Sequence, residues 1–300
     1  MLVIGMSEDL LDHCNDVSYI LSQASLVESY IFKPGNASRF QDLANVKYID
    51  IVKSALISST YYKELCVRGF KGIRRLYDTL VELINHSRKF GFEYQLFGTY
   101  LLIAPFAYEA AKSDNVFELR KKVAKLIRSF GVLEAKWFLD ALKEVNLKYL
   151  GRLSSMDYRE IENVDFFTLM EFSSKYDIVA LNMVNDYSIT FDAYNVIKEG
   201  LCGFERDVQR AFLYILSNYP DTLIYKKYGA YAALEVSKVA RVVSSNDCPS
   251  SNELEWLNGY LIGNNFNPGS TADLIASSLA IYYLDEWYSK KDNPHSGISV

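Results

Sequence analysis

Asn267-Pro268-Gly269-Ser270-Thr271-Ala272-Asp273-Leu274 opens a stretch whose reading decides the fold. From Thr271 to Leu284 the only residues besides apolar side chains and tyrosines are Thr271, Asp273 and two serines. A helix with no polar face is buried on most sides. The stretch therefore predicts an all-α fold built as a helical bundle around a buried central helix near 271–284. Asp273 stands in the first turn of that helix. Pro268 and Gly269 set the turn before it, and Ser270 can act as N-cap with Asp273 three residues on, a short-armed relative of the capping box. The N–H groups exposed there also suit a phosphate. Local chemistry favours a plain cap for Asp273; a placed reagent is the alternative.

Outward from this helix the periodicity is helical almost everywhere. Leu10, Cys14, Val17, Leu21 and Ala24 form one apolar stripe, with Ser7 as its cap. Further helices are predicted over about 45–62, 68–89, 98–112, 116–129, 132–145, 165–174, 177–187, 205–217, 230–244 and 251–262. Tyr187–Phe191 is the best strand candidate, and it is short. Pro105 is expected to kink or end the helix that begins at Gly98. The stretch 146–164 reads as a long surface loop that could divide two halves of one bundle. These features predict one all-α domain over 1–290 and a flexible tail over 291–300.

Composition narrows the class. Half of the 300 residues are hydrophobic and 23% are charged, as in a soluble globular protein with a sizeable core. A net charge of −5 without a basic stripe argues against nucleic acid as partner. Cys14, Cys66, Cys202 and Cys248 show no paired spacing, so neither a dense disulfide scaffold nor a zinc site is expected. No run approaches the ~20 apolar residues of a membrane span. With no basic leader before Glu8-Asp9, a cytoplasmic location is expected. A homodimer is left open.

Several polar residues stand at predicted helix ends. Glu28 continues the apolar stripe of the first helix and so points inward, as a reagent or as a boundary residue paired with Lys33. Lys33-Pro34-Gly35-Asn36 has the composition of a tight turn. Asp177 and Asp221 each precede a helical stretch and can cap it. Lys226 and Lys227 follow Asp221 within about one and a half turns, a spacing that sets two cations near a carboxylate.

Read in order, Glu28-Ser-Tyr-Ile-Phe-Lys33-Pro34-Gly35-Asn36, Phe40-Gln-Asp42 with Lys53-Ser54-Ala55, Gly98-Thr99 running into Ala104-Pro105, Tyr176-Asp177-Ile-Val-Ala180, Pro220-Asp221-Thr222 through Lys226-Lys227-Tyr-Gly229, and the 267–274 segment make six matches. The series resembles the triphosphoribosyl-dephospho-CoA synthase family and spans nearly the whole chain. The resemblance implies a transferase in which the 2′-hydroxyl of dephospho-CoA attacks the ribose C1′ of ATP and releases adenine. The triphosphate stays on the transferred sugar. An oxocarbenium-like transition state calls for carboxylates as base and charge stabiliser. On this resemblance Glu28, Asp177, Asp221 and Asp273 are the catalytic candidates. Lys33, Asn36, Lys226, Lys227, Asn267 and Thr271 would bind substrate, and Asp221 and Asp273 would hold Mg²⁺. ATP and dephospho-CoA, or a related nucleotide acceptor, are the implied partners. Two departures stand out. Lys226 replaces an arginine and loses its bidentate fork. Tyr94-Gln95-Leu96-Phe97 occupies the place of an Asn-Thr-Asn type polar cluster, which leaves open another acceptor or a nucleotide-binding protein without turnover.

Overall fold

The computed structural model describes residues 8–145, 161 and 163–292, and within them thirteen helices and no strand longer than an isolated bridge. The first six are α1 (Glu8–Tyr30), α2 (Tyr48–Lys71), α3 (Asp78–Lys89), α4 (Phe97–Ala110), α5 (Val116–Arg128) and α6 (Val132–Val145). Then follow α7 (Phe166–Ser173), α8 (Ile178–Val184), α9 (Ser188–Lys198), α10 (Phe204–Asn218), α11 (Thr222–Val243), α12 (Ser251–Gly263) and α13 (Gly269–Asp292). The all-α expectation holds. So does the central position of the last helix. Leu274, Ile275, Leu279, Ala280, Ile281 and Leu284 are inaccessible to solvent, and α13 packs against α1, α4 and α9 among others. Ser277 and Ser278 in its middle are buried without loss because each finds a partner. Ser277 Oγ lies 2.5 Å from Thr190 Oγ1, and Ser278 Oγ donates to the carbonyls of Leu274 and Thr190.

Four local expectations are corrected. Tyr187–Phe191 is not a strand. Tyr187 adopts a left-handed conformation (φ 59°) that turns the chain directly into α9, and its side chain is wholly buried. Pro105 neither ends nor replaces α4, which runs through it. Proline leaves the carbonyl four residues earlier without its usual donor. That carbonyl belongs to Leu101, and the hydroxyl of buried Tyr77 donates to it at 3.0 Å. The carboxy-terminal helix extends through Lys291 to Asp292, so the expected tail does not begin at 291. Residues 293–300, the cap expected at Ser7, and positions 146–160 and 162 of the expected loop lie outside the described residues.

The fourth correction concerns cysteine. All four are paired, Cys14 with Cys66 between α1 and α2, and Cys202 with Cys248 between the approaches to α10 and α12. Cα separations of 5.5 and 5.8 Å are those of ordinary disulfides. The partners are 52 and 46 residues apart, so only the tertiary fold brings them together. No helix among the described residues is long and apolar enough to cross a membrane.

Candidate active site

A cavity of about 1500 Å³ opens where the start of α13, the start of α4, the loop after α1 and the first half of α11 meet α6 and α7. Glu28, Asn36, Asp177, Lys226, Lys227, Asn267 and Asp273 all line it. Seven of the ten residues singled out from sequence thus converge. Lys33, Asp221 and Thr271 do not line the cavity.

Asp273 does not cap its helix. Its Oδ1 accepts a hydrogen bond from Thr99 Oγ1 at 2.7 Å across the α4–α13 junction. Its Oδ2 lies against Gly98, where a Cβ would come within 2.1 Å of it. The Gly-Thr pair therefore does two things: glycine leaves room for the carboxylate and threonine fixes its orientation. Ser270 is not the cap either, since α13 begins at Gly269 and the Thr271 N–H is taken by Asp221. Burial pushes the Asp273 carboxyl up to about 7; the Thr99 hydroxyl opposes this, and the charges of Glu28, Asp177 and Asp221 add to it.

Asp221 is the contrasting case. Its Oδ1 accepts from the N–H groups of Leu223 and Ile224 at the start of α11. Its Oδ2 accepts from both the N–H and the hydroxyl of Thr271 at the start of α13, each at 2.8 Å. One carboxylate caps two helices, and Thr271 is the residue it holds. Four donors fill the roughly four lone-pair directions of a carboxylate, which leaves no room for a metal. The expectation of Asp221 as reagent and Mg²⁺ ligand is thereby corrected. Burial still raises its pKa, with the N–H donors opposing.

Asp177 combines both readings. One oxygen caps α8 through Val179 and Ala180, while the other pairs with Lys226 at the cavity wall. Burial acts to raise its pKa, but the Lys226 charge and the N–H donors outweigh it and hold the carboxyl below its usual range. Lys227 lines the same wall; burial lowers its pKa and Asp221 opposes that.

Lys33 is fully buried and its ammonium faces away from the cavity. It pairs with Glu28 at 2.9 Å and donates to the carbonyls of Glu28 and Ile31. Three donors meet three acceptors, so the phosphate-ligand expectation for Lys33 is corrected to a structural one. Burial raises the Glu28 pKa against the pull of Lys33. Asn36 donates to Asn267 Oδ1 and the Pro268 carbonyl, joining the first motif to the last. Its own Oδ1 is buried without a partner. Asp42 accepts from the Tyr48 N–H at the start of α2, outside the cavity lining.

Gly229 is the break that the motif around Lys226-Lys227 conceals. At φ 87° it interrupts α11, a conformation that favours glycine, and both Gly229 and Ala230 line the cavity. The helix expected over 230–244 is the part of α11 beyond this break. Thr99 and Gln95 were not among the sequence candidates. The Gly98-Thr99 motif was the available signal for Thr99, but its partner lies 174 residues away.

A half-buried carboxylate with a raised pKa beside two lysines on one cavity suits a helical group-transfer enzyme acting on an anionic substrate. Comparison with known proteins gives that class its family. The family model described as CitG, ATP:dephospho-CoA triphosphoribosyl transferase, matches residues 14–292, and the chain belongs to this family of ATP-using transferases. The fold is similar to the crystal structure of a candidate triphosphoribosyl-dephospho-CoA synthase from Archaeoglobus fulgidus. The TM-score is 0.64 at 18% identity, over 79% of this chain and 99% of that one. Curated proteins offer no significant match.

Proposed function

We propose that the chain transfers the triphosphoribosyl group of ATP to the 2′-hydroxyl of 3′-dephospho-CoA, with Asp273 as general base. The observation that carries this reading is the state of Asp273. Among the described cavity-lining carboxylates that are not exposed, it is the one with neither a lysine partner nor backbone donors, and its pKa of about 7 suits proton transfer near neutral pH. The acceptor oxygen bonds to C1′ of the ATP ribose as the C1′–N9 bond breaks. The electron pair of that bond leaves with adenine. The proton lost by the hydroxyl goes to Asp273, and adenine takes up one proton in its place. Lys226 and Lys227 supply positive charge for the triphosphate, and Glu28 with Asp177 adds negative potential that favours a developing oxocarbenium ion.

Mg²⁺ would enter this site together with the triphosphate. Among the described residues no group of three or more His, Cys, Asp or Glu could hold a metal, and Asp221 is saturated by its four donors. A triphosphate can carry Mg²⁺ with few protein ligands, and no step above depends on it. Incubation with ATP, Mg²⁺ and dephospho-CoA should yield free adenine and a dephospho-CoA adduct heavier by one triphosphoribosyl group in mass spectrometry. Absence of both with folded protein would reject the proposal.

A further inference from the structure

The cavity has a second wall that the transfer chemistry does not use. Leu96 and Phe97 lead directly into Gly98, and Phe138, Leu142 and Met170 from α6 and α7 complete an apolar surface. The Phe97 and Phe138 rings are 6.0 Å apart at their centres. This wall and the lysine wall belong to different packing units: α6 packs on α3 and α7, whereas α11 packs on α10, α12 and α13. Different helices contribute the two surfaces, and Asp273, in contact with Gly98, stands where the α4 side meets α13. Gln95 also lines the cavity. Its backbone N–H donates to Ser54 Oγ, but its side-chain amide makes no hydrogen bond among the described residues.

We infer that Gln95, Leu96 and Phe97 form the purine subsite, with the leaving base held against Phe97 and read by the Gln95 amide. The inference rests on the transferase reading and on the shape of the donor. In a nucleoside triphosphate the phosphates and the base project from opposite ends of the ribose, and the base is attached to the carbon under attack. With phosphates at the lysines and C1′ near Asp273, the base reaches the apolar wall. An uncharged aromatic ring suits that wall, whereas a second phosphate chain would find there one cation, Arg88, beside the opposing charges of Glu93 and Glu144. A glutamine amide can donate to and accept from one edge of adenine at once, and the same edge of guanine presents the wrong pattern. The substitution of the polar cluster at 94–97 thus keeps one amide and replaces its neighbours with a stacking surface.

The test separates base from phosphate by calorimetry on the full chain with ATP, GTP, free adenine and inorganic tripolyphosphate. Wild type should prefer ATP over GTP by about tenfold or more, and adenine and tripolyphosphate should bind together. Q95A should bring the preference within about threefold, and F97A should weaken adenine by about tenfold, each with tripolyphosphate affinity unchanged. Unchanged tripolyphosphate binding also reports that the variant is folded. If F97A does not fold, Q95A decides, because the Gln95 amide bonds to no other described residue. An ATP preference that survives Q95A, or adenine and tripolyphosphate excluding one another, would overturn the subsite. Adenine release with dephospho-CoA, read on the same wild-type sample, keeps the two ideas apart. Release with an unaltered preference in Q95A sinks the subsite alone. A preference abolished by Q95A without release sinks the transfer reading alone.

Discussion

Asp221 and Asp273 look alike in sequence, each an aspartate near the start of a helix beside small polar residues, and the structure gives them opposite occupations. Asp221 accepts four hydrogen bonds and holds the starts of α11 and α13 together. Asp273 accepts one, from a side chain on another helix, and faces the cavity. The difference lies in the donors that surround each carboxylate. A saturated carboxylate is structural because every direction from which a substrate or metal could approach is taken. A carboxylate with one partner and a raised pKa retains unsatisfied basicity, which is what proton transfer requires.

The contrast predicts that equal substitutions at the two sites damage different properties. D273N keeps the shape and the Thr99 contact but removes the charge and basicity. Turnover should fall by about 10²–10⁴-fold, the usual range for loss of a general base, with the melting temperature held or raised. G98A should mimic it from the other side, because its Cβ needs the space of Oδ2; a loss of about 10²-fold is expected for a displacement near 1 Å. D273N protein with full turnover would break the comparison.

At Asp221 the loss should appear in stability. D221A leaves three backbone N–H groups and one hydroxyl without their acceptor. Unpaired buried donors cost about 1–3 kcal/mol each before relaxation and water entry. A fall of roughly 2–4 kcal/mol in unfolding free energy is therefore expected, measured by urea titration. D221N, which retains one acceptor oxygen, should lose less. A stable D221A variant that is inactive would reverse the assignment and make Asp221 the reagent.

Helix positions were legible in the sequence because apolar spacing reports burial directly, and α5 starts at its expected Val116. The failures share a cause. Pro105 stays helical because Tyr77, 24 residues from Leu101, supplies the missing donor. Tyr187 reads as part of a strand because its aromatic and β-branched neighbours fit one, whereas buried packing holds it in a left-handed turn. At the site, residue types and order picked out ten candidates of which seven line the cavity, but the sequence could not tell a saturated carboxylate from an unsatisfied one. Lys33 illustrates the same limit: a lysine in a tight turn resembles a phosphate ligand until three buried acceptors are seen around it.

The pH dependence sharpens the comparison further. Asp273 is raised to about 7 from an ordinary 3.8, so the folded state holds its proton more tightly than the unfolded chain does. Its contribution to stability is complete below the unfolded value and is lost as pH rises through the folded one, a window of about pH 4–7. Activity runs the other way, because the base must be ionised: kcat/KM should climb tenfold per pH unit on its acid side and level off near pH 7. D273N should flatten part of the stability slope. A kcat/KM profile that is already level at pH 5 would place the acting base elsewhere.

The smallest effect should come from Thr99, which orients Asp273 through its hydroxyl. T99V is nearly isosteric and removes the hydroxyl that donates at 2.7 Å to Oδ1. Two consequences oppose one another. The carboxylate loses a donor that stabilises its charged form, so its pKa should rise further and the acid limb of kcat/KM should move to higher pH. A stronger base is intrinsically better at abstracting a proton, which returns part of the lost rate at high pH. The net loss at pH 7 should be about tenfold, consistent with one charge-assisted hydrogen bond, and should shrink as pH rises. T99S keeps the hydroxyl and should restore both the rate and the position of the limb. A purely structural role for Thr99 would instead lower kcat/KM by the same factor at every pH, and a T99V profile parallel to wild type would assign it that role.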